Sequence, residues 1–256
     1  MLQIVLALLC AVLYLFFRHK LRTGTMLMDG MWFEFPRYMD ETLIRNFTPL
    51  LEWQRNVKNG LLAQGAVLER VSIRDTYMFG SRIGFMLMDV TMYMDGVKLP
   101  GAVLLRGKSL AVLLWYRDLA TRDVHVVLLR QPRVPTGRMT WEVPAGMADG
   151  TGTLKGQMFK EIEEETGLVL NVRDLVHYDT MSPYTSSGLL DETLELYSMQ
   201  VSPDVITTAD TASPLGNRVE GEIITNVVGV SLSDARTLAR TMEDGKLRIL
   251  LSMLEM

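Results

Sequence analysis

GMADGTGTLKGQMFKEIEEETGL, residues 146–168, decides how the rest of the chain is read. Met158, Phe159 and Ile162 recur at helical spacing and Gly167 follows as a left-handed cap, so the pattern predicts a helix over 154–166. Glu161, Glu164 and Glu165 then stand at i, i+3 and i+4 and share one face, while Glu163 turns to solvent. Carboxylates this close repel each other by roughly a few tenths of a kcal/mol per pair. A hard divalent cation with oxygen ligands, Mg²⁺ or Mn²⁺, relieves that repulsion. Taken alone, the run reads equally as a solvated acidic face.

Working outward, 109–117 (SLAVLLWYR) and 125–134 (HVVLLRQPRV) read as two strands joined by a polar turn over 118–123, and TWEVPAG leads into the acidic helix. Downstream, LVHYDTMSP, LELYSMQV and ITNVVGVSL are further strands, and 232–239 and 246–254 have helical spacing. Strands with helices interspersed predict a mixed sheet between helices. Upstream, from Gly65, short alternating segments with turns at Gly80 and Asp95-Gly96 read as an antiparallel meander. Residues 40–62 read as helical with an interruption near Pro49. The expected organisation is an apolar segment over 1–25, a helical lead-in with a small β subdomain over 26–107, and the main domain over 108–256.

Composition sets outer bounds. The chain has 256 residues, 48% of them hydrophobic, enough for a sizeable core. Its formal net charge is -4 and its three histidines are scattered, which argues against a nucleic acid polymer as partner and against a histidine-rich metal site. The single cysteine, Cys10, excludes an internal disulfide framework and suits a reducing compartment. Leu2 to Phe17 is an uncharged apolar run followed by Arg18, His19, Lys20 and Arg22. At about 24 Å it falls short of the ~30 Å hydrocarbon layer, but thinning and snorkelling make a short anchor feasible. An inserted run would leave its basic flank and everything after it on the cytoplasmic side. An extension packed elsewhere, or translation from Met26 or Met28, accounts for the run equally well.

The opening stretch resembles the Nudix box, Gly-x5-Glu-x7-Arg-Glu-U-x-Glu-Glu-x-Gly-U with U aliphatic. Its fixed points fall on Gly146, Glu161, Ile162, Glu164, Glu165, Gly167 and Leu168. Two positions depart: Gly152 stands for the first Glu of the box and Lys160 for its Arg, a pair that in the family can orient the metal-binding carboxylates. From about Leu62 onward the chain resembles the plant-type ADP-sugar diphosphatases of that superfamily. MFGSRIGF, KLPGAVLLRG, LLRQPRVPTGRMTWEVPAGM, GLLDETLELYSM and VEGEII carry the likeness.

The resemblance implies an α+β fold, a Nudix αβα sandwich with a mixed sheet preceded by a small antiparallel β subdomain that packs across a homodimer. It implies hydrolysis of ADP-ribose or ADP-glucose to AMP and a sugar phosphate. Metal ligands would be Glu161, Glu165, Glu164 and the carbonyl of Ala145. Arg133 would contact phosphate, Asp191 and Glu192 would lie near the substrate, and Glu220 or Glu222 would act as the base, with Glu164 also in the catalytic set. Each carries a plainer reading: Arg133 flanking a strand end, Asp191 and Glu192 as edge-strand charges, Glu220 and Glu222 in a solvated loop. Such chemistry needs phosphate charge neutralised and a water activated, tasks suited to metals and arginines. Two other readings stay open: a Nudix-fold sensor or scaffold without turnover, which Gly152 favours, and a hydrolase of NADH, a nucleoside triphosphate or coenzyme A.

Overall fold

The computed structural model describes residues 23–148, 153–168, 170, 175–178, 182–203, 223–241 and 244–254. The chain divides into two compact units, Met1–Arg106 with Ser186–Glu192, and Gly107–Thr185 with Thr193–Met256.

The first unit opens with a hairpin that the sequence reading missed. Strands β1 (Thr23–Met28) and β2 (Met31–Pro36) pair antiparallel across Asp29 and Gly30, both with positive φ, as the turn joining right-twisted strands requires. Met26, Met28, Phe33 and Phe35 alternate inward, while Leu27 and Trp32 face out. Helix α1 (Glu41–Arg45) follows, capped by the Asp40 carboxylate accepting from Thr42 N–H at 2.7 Å. Helix α2 (Thr48–Asn59) comes next. The break expected near Pro49 falls earlier, at Asn46 and Phe47. Pro49 instead sits in the first turn of α2, where a missing N–H costs nothing.

Strands β3 (Val67–Phe79) and β4 (Arg82–Met94) form a long antiparallel pair, and β5 (Val97–Lys98) and β6 (Ala102–Leu105) both pair with β4. This meander is antiparallel as read. The hairpin joins it through a parallel pairing of β2 with β3, Phe33 opposite Val71, so the unit's sheet as a whole is mixed. Its core gathers Phe33, Ile44, Leu50, Val71, Met86, Met88 and Leu105.

In the second unit, β7 (Lys108–Arg117) and β8 (Val124–Arg133) meet across the turn in which Asp118 accepts from Ala120 and Thr121 N–H. Strand β9 (Arg138–Glu142) pairs with β8, and β10 (Ala145–Met147) pairs with β7. Helix α3 (Leu154–Thr166) is followed by β11 (Leu175–His177), β12 (Thr193–Gln200), β13 (Asn226–Ser231), α4 (Leu232–Thr241) and α5 (Gly245–Met253). The sheet runs β11-β12-β7-β8-β13, with β12 parallel to β7 and the other pairings antiparallel.

Strand β7 shows why this is a three-layer sandwich. Leu110, Val112 and Leu114 pack with Met158 and Ile162 of α3 on one face. Ala111 and Leu113 pack with Ala235, Leu247 and Leu250 of α4 and α5 on the other. A strand covered on both sides has no solvent face, hence its unbroken apolar run. The observed architecture is the α+β, αβα arrangement with a mixed sheet expected from the sequence. Among the described residues no helix is long and apolar enough to cross a membrane; Leu2 to Phe17 lies outside them.

Candidate active site

The acidic helix has the limits its spacing predicts. Thr153 caps it by accepting from Gly156 N–H at 3.2 Å, and Gly167 ends it at φ 70° with its N–H on the Glu163 carbonyl at 2.9 Å. The Thr166 hydroxyl, fully buried, donates to the Ile162 carbonyl at 2.5 Å and accepts from Leu168 N–H at 3.1 Å. Met158 and Ile162 bury the opposite stripe, so the helix cannot rotate without losing core contacts.

That orientation brings two of the three carboxylates onto β10. Glu165 is 1% exposed, and its Oε2 accepts from Ala145 N–H at 2.9 Å. Glu161 lies over the next residue: a Cβ at Gly146 would stand 2.1 Å from its carboxyl carbon, inside contact distance. A side chain at 146 would therefore force the Glu161 carboxylate to shift. Glu164, on the same face, pairs with Lys160 one turn back at 3.4 Å, and Glu163 is exposed.

No protein-family profile matches the chain. Over 238 residues, 87% of this chain and 73% of the relative, it is 34% identical to Nudix hydrolase 14, chloroplastic, of Arabidopsis thaliana. The chain belongs to the Nudix hydrolase family. It is also similar to an uncharacterised Nudix hydrolase of Schizosaccharomyces pombe, 28% identical over 102 residues, 40% of this chain and 46% of that one. A third relative is nudix hydrolase 2 of Caenorhabditis elegans, 31% identical over 81 residues, 32% of this chain and 35% of that one. As a Nudix hydrolase it acts on phosphoric anhydrides, hydrolysing a nucleoside diphosphate derivative, and its family generally requires a divalent metal.

The Nudix donor set fits a hard cation in its chemistry: carboxylates of Glu161 and Glu165 converge on consecutive residues of β10. Among the described residues no three His, Cys, Asp or Glu side chains gather closely enough to hold an ion by themselves. Backbone carbonyl, water and substrate oxygens would complete the shell, as suits a metal that keeps several waters. Glu220, Glu222 and Gly152 lie outside the described residues.

Arg133 ends β8 in a fork on Glu142, Nε to Oε1 at 2.7 Å and Nη2 to Oε2 at 2.8 Å. Glu142 also accepts from Lys246 at 3.2 Å and Thr140 at 2.5 Å. Burial pushes the Glu142 carboxyl up, but the Arg133 fork, Lys246 and Thr140 together outweigh it and hold the group at about 2. Asp244 beside them goes the other way, raised by burial against the pull of Lys246. The Arg133 side chain keeps 36% exposure. Glu142 and Lys246 escaped the sequence reading, because nothing in spacing links residues 104 positions apart.

Asp191 and Glu192 belong to the first unit, where both hold Arg106. Asp191 accepts from its N–H at 2.6 Å, and the buried Glu192 pairs with its guanidinium at 2.8 Å. Their described contacts are those of an anchor for the segment 186–192.

Proposed function

We propose that the chain hydrolyses the pyrophosphate bond of an ADP-sugar, ADP-ribose or ADP-glucose, releasing AMP and a sugar phosphate, with Mg²⁺ or Mn²⁺ as cofactor. The observation that carries this reading is the docking of Glu161 and Glu165 on Ala145 and Gly146, which concentrates oxygen donors at one strand end. Support for ADP-sugars comes from the RQPRVPTGRMTWEVPAG lead-in and the β unit ahead of it.

Glu161, Glu165 and the Ala145 carbonyl would hold the metal, with Glu164 as a further ligand. The metal, when bound, neutralises phosphate charge and lowers the pKa of a coordinated water. Arg133, oriented by Glu142, binds a phosphate oxygen. Glu220, or Glu222, takes the proton from the attacking water. Asp191 and Glu192 are the remaining substrate-binding residues of this reading. The active assembly is a homodimer, and residues 2–17 attach the full chain to a membrane with the catalytic domain on the cytoplasmic side.

Gly152 in place of the first box glutamate favours the second reading of a weakly catalytic sensor. A substrate panel separates the two. Purified protein with Mg²⁺ should convert ADP-ribose or ADP-glucose to AMP, read by chromatography, in preference to NADH, nucleoside triphosphates and coenzyme A. Binding without turnover would establish the sensor.

A further inference from the structure

A polar cluster interrupts the apolar face on which the acidic helix packs. Glu195 of β12 is buried. It accepts from Ser182 Oγ at 3.0 Å, meets His177 Nε2 at 3.2 Å and faces Lys108 Nζ at 3.5 Å. His177 in turn stacks on Tyr197, ring centroids 4.6 Å apart. Glu195 organises three polar side chains, Lys108 on β7, His177 on β11 and Ser182 between β11 and β12, and the first two, at 43% and 30% exposure, reach solvent.

Strand register places the cluster beside the metal-binding carboxylates. Glu195 lies opposite Leu110, and Leu110 lies opposite Gly146. Residues directly opposite project to the same side of a sheet. Side chains two apart along each strand agree: Tyr197, Met199, Leu110 and Val112 all belong to the core that Met158 and Ile162 cover. His177 is opposite Tyr197 and shares that face. Glu195 therefore stands on the same face as the Glu161 carboxylate, two strands away, about 10 Å between backbones at the usual spacing. The strand between them begins at Lys108, whose carbonyl accepts from Ala148 N–H at 2.9 Å, just past Gly146 and Met147.

We propose that Lys108, His177, Ser182 and Glu195 form the subsite for the sugar carried on the far phosphate of the substrate. This rests on the ADP-sugar reading above. A carboxylate, an imidazole and a hydroxyl held within hydrogen-bond reach of one another match a group that offers several vicinal hydroxyls, each both donor and acceptor. The Lys108 ammonium, on the side nearer β10, faces the adjoining phosphate. Glu195 binds the hydroxyls and also fixes His177 and Ser182, so removing its charge disturbs the whole subsite.

The test compares ADP-ribose and ADP-glucose with the β-methyl ester of ADP, which keeps the pyrophosphate and lacks the sugar. Glu195→Gln and His177→Gln should raise KM for the ADP-sugars about tenfold or more, with kcat within about threefold, and leave the methyl ester unchanged. The ratio of kcat/KM between the two sugars should also shift. Equal losses on all three compounds would show a merely structural cluster, and no loss on any would show an inert one; either overturns the subsite. If Glu195→Gln fails to fold by thermal melting, Ser182→Ala supplies the same comparison at a partly exposed position. Wild-type protein that hydrolyses neither ADP-sugar would sink the underlying function and the subsite together, a result distinct from active protein with indifferent variants.

Discussion

Gly146 and Glu142 show how single residues set the chemistry. Any side chain at 146 occupies the place of the Glu161 carboxylate. Gly146→Ala should leave the fold intact, because β10 is a short strand over which only the glutamate must move, while hydrolysis falls at least a hundredfold. Circular dichroism beside a rate assay checks both parts. Glu142 gives a pH signature. Its folded carboxyl titrates near 2 against an ordinary value of 4.5, so the unfolded chain binds the extra proton between those limits. Its contribution, roughly 3 kcal/mol, is fully present above pH 4.5 and is lost as pH falls towards 2. Denaturant midpoints between pH 2 and 5 should fall steeply with acid, less so in Glu142→Gln. Asp244 contributes a slope of opposite sign, since its raised carboxyl favours the folded state at the acid end.

At the scale of elements, the acidic helix was legible to the residue, because its apolar stripe, its threonine cap and its terminal glycine are all local signals. Strands β7 and β8 with their polar turn were legible to within one residue at each end. What could not be read depends on distant partners. The first hairpin hides among methionines, whose flexible side chains mark no period, and only Asp29-Gly30 signals the turn. Glu142, Lys246, His177 and Glu195 are ordinary charged residues in sequence and acquire meaning when strand register brings them together. The helix end offers a clean check: Gly167 sits at φ 70°, where a Cβ costs about 1 kcal/mol or more. Gly167→Ala should lower stability by that amount in denaturant titration and loosen Glu165 from Ala145, raising the metal concentration for half-maximal rate. Unchanged stability would contradict the cap assignment.

For the whole molecule, the first unit leaves Tyr77, Met78 and Leu87 exposed on β3 and β4, and among the described residues β1 lies at an edge of its sheet. A two-fold homodimer that covers such edges should appear as twice 28.9 kDa by light scattering, and a fully active monomer would contradict it. The hairpin also bears on the N-terminus. A version beginning at Thr23 keeps β1 and should be soluble and active, whereas one beginning at Met28 loses that strand and buried Met26. Loss of that side chain alone costs about 1.5–3 kcal/mol, visible as a lower melting temperature.

The central claim is that Glu161 and Glu165, seated on Gly146 and Ala145, hold the divalent cation that hydrolysis needs. The most direct measurement is a Mn²⁺ titration followed by electron paramagnetic resonance, paired with the hydrolysis rate, on wild-type protein and on Glu161→Gln and Glu165→Gln. Wild-type protein should bind Mn²⁺, lose activity with chelator and recover it with Mg²⁺ or Mn²⁺. Each variant should stay folded, bind the ion far more weakly and lose several orders of magnitude in rate. Folded variants with wild-type affinity and undiminished turnover would contradict the account.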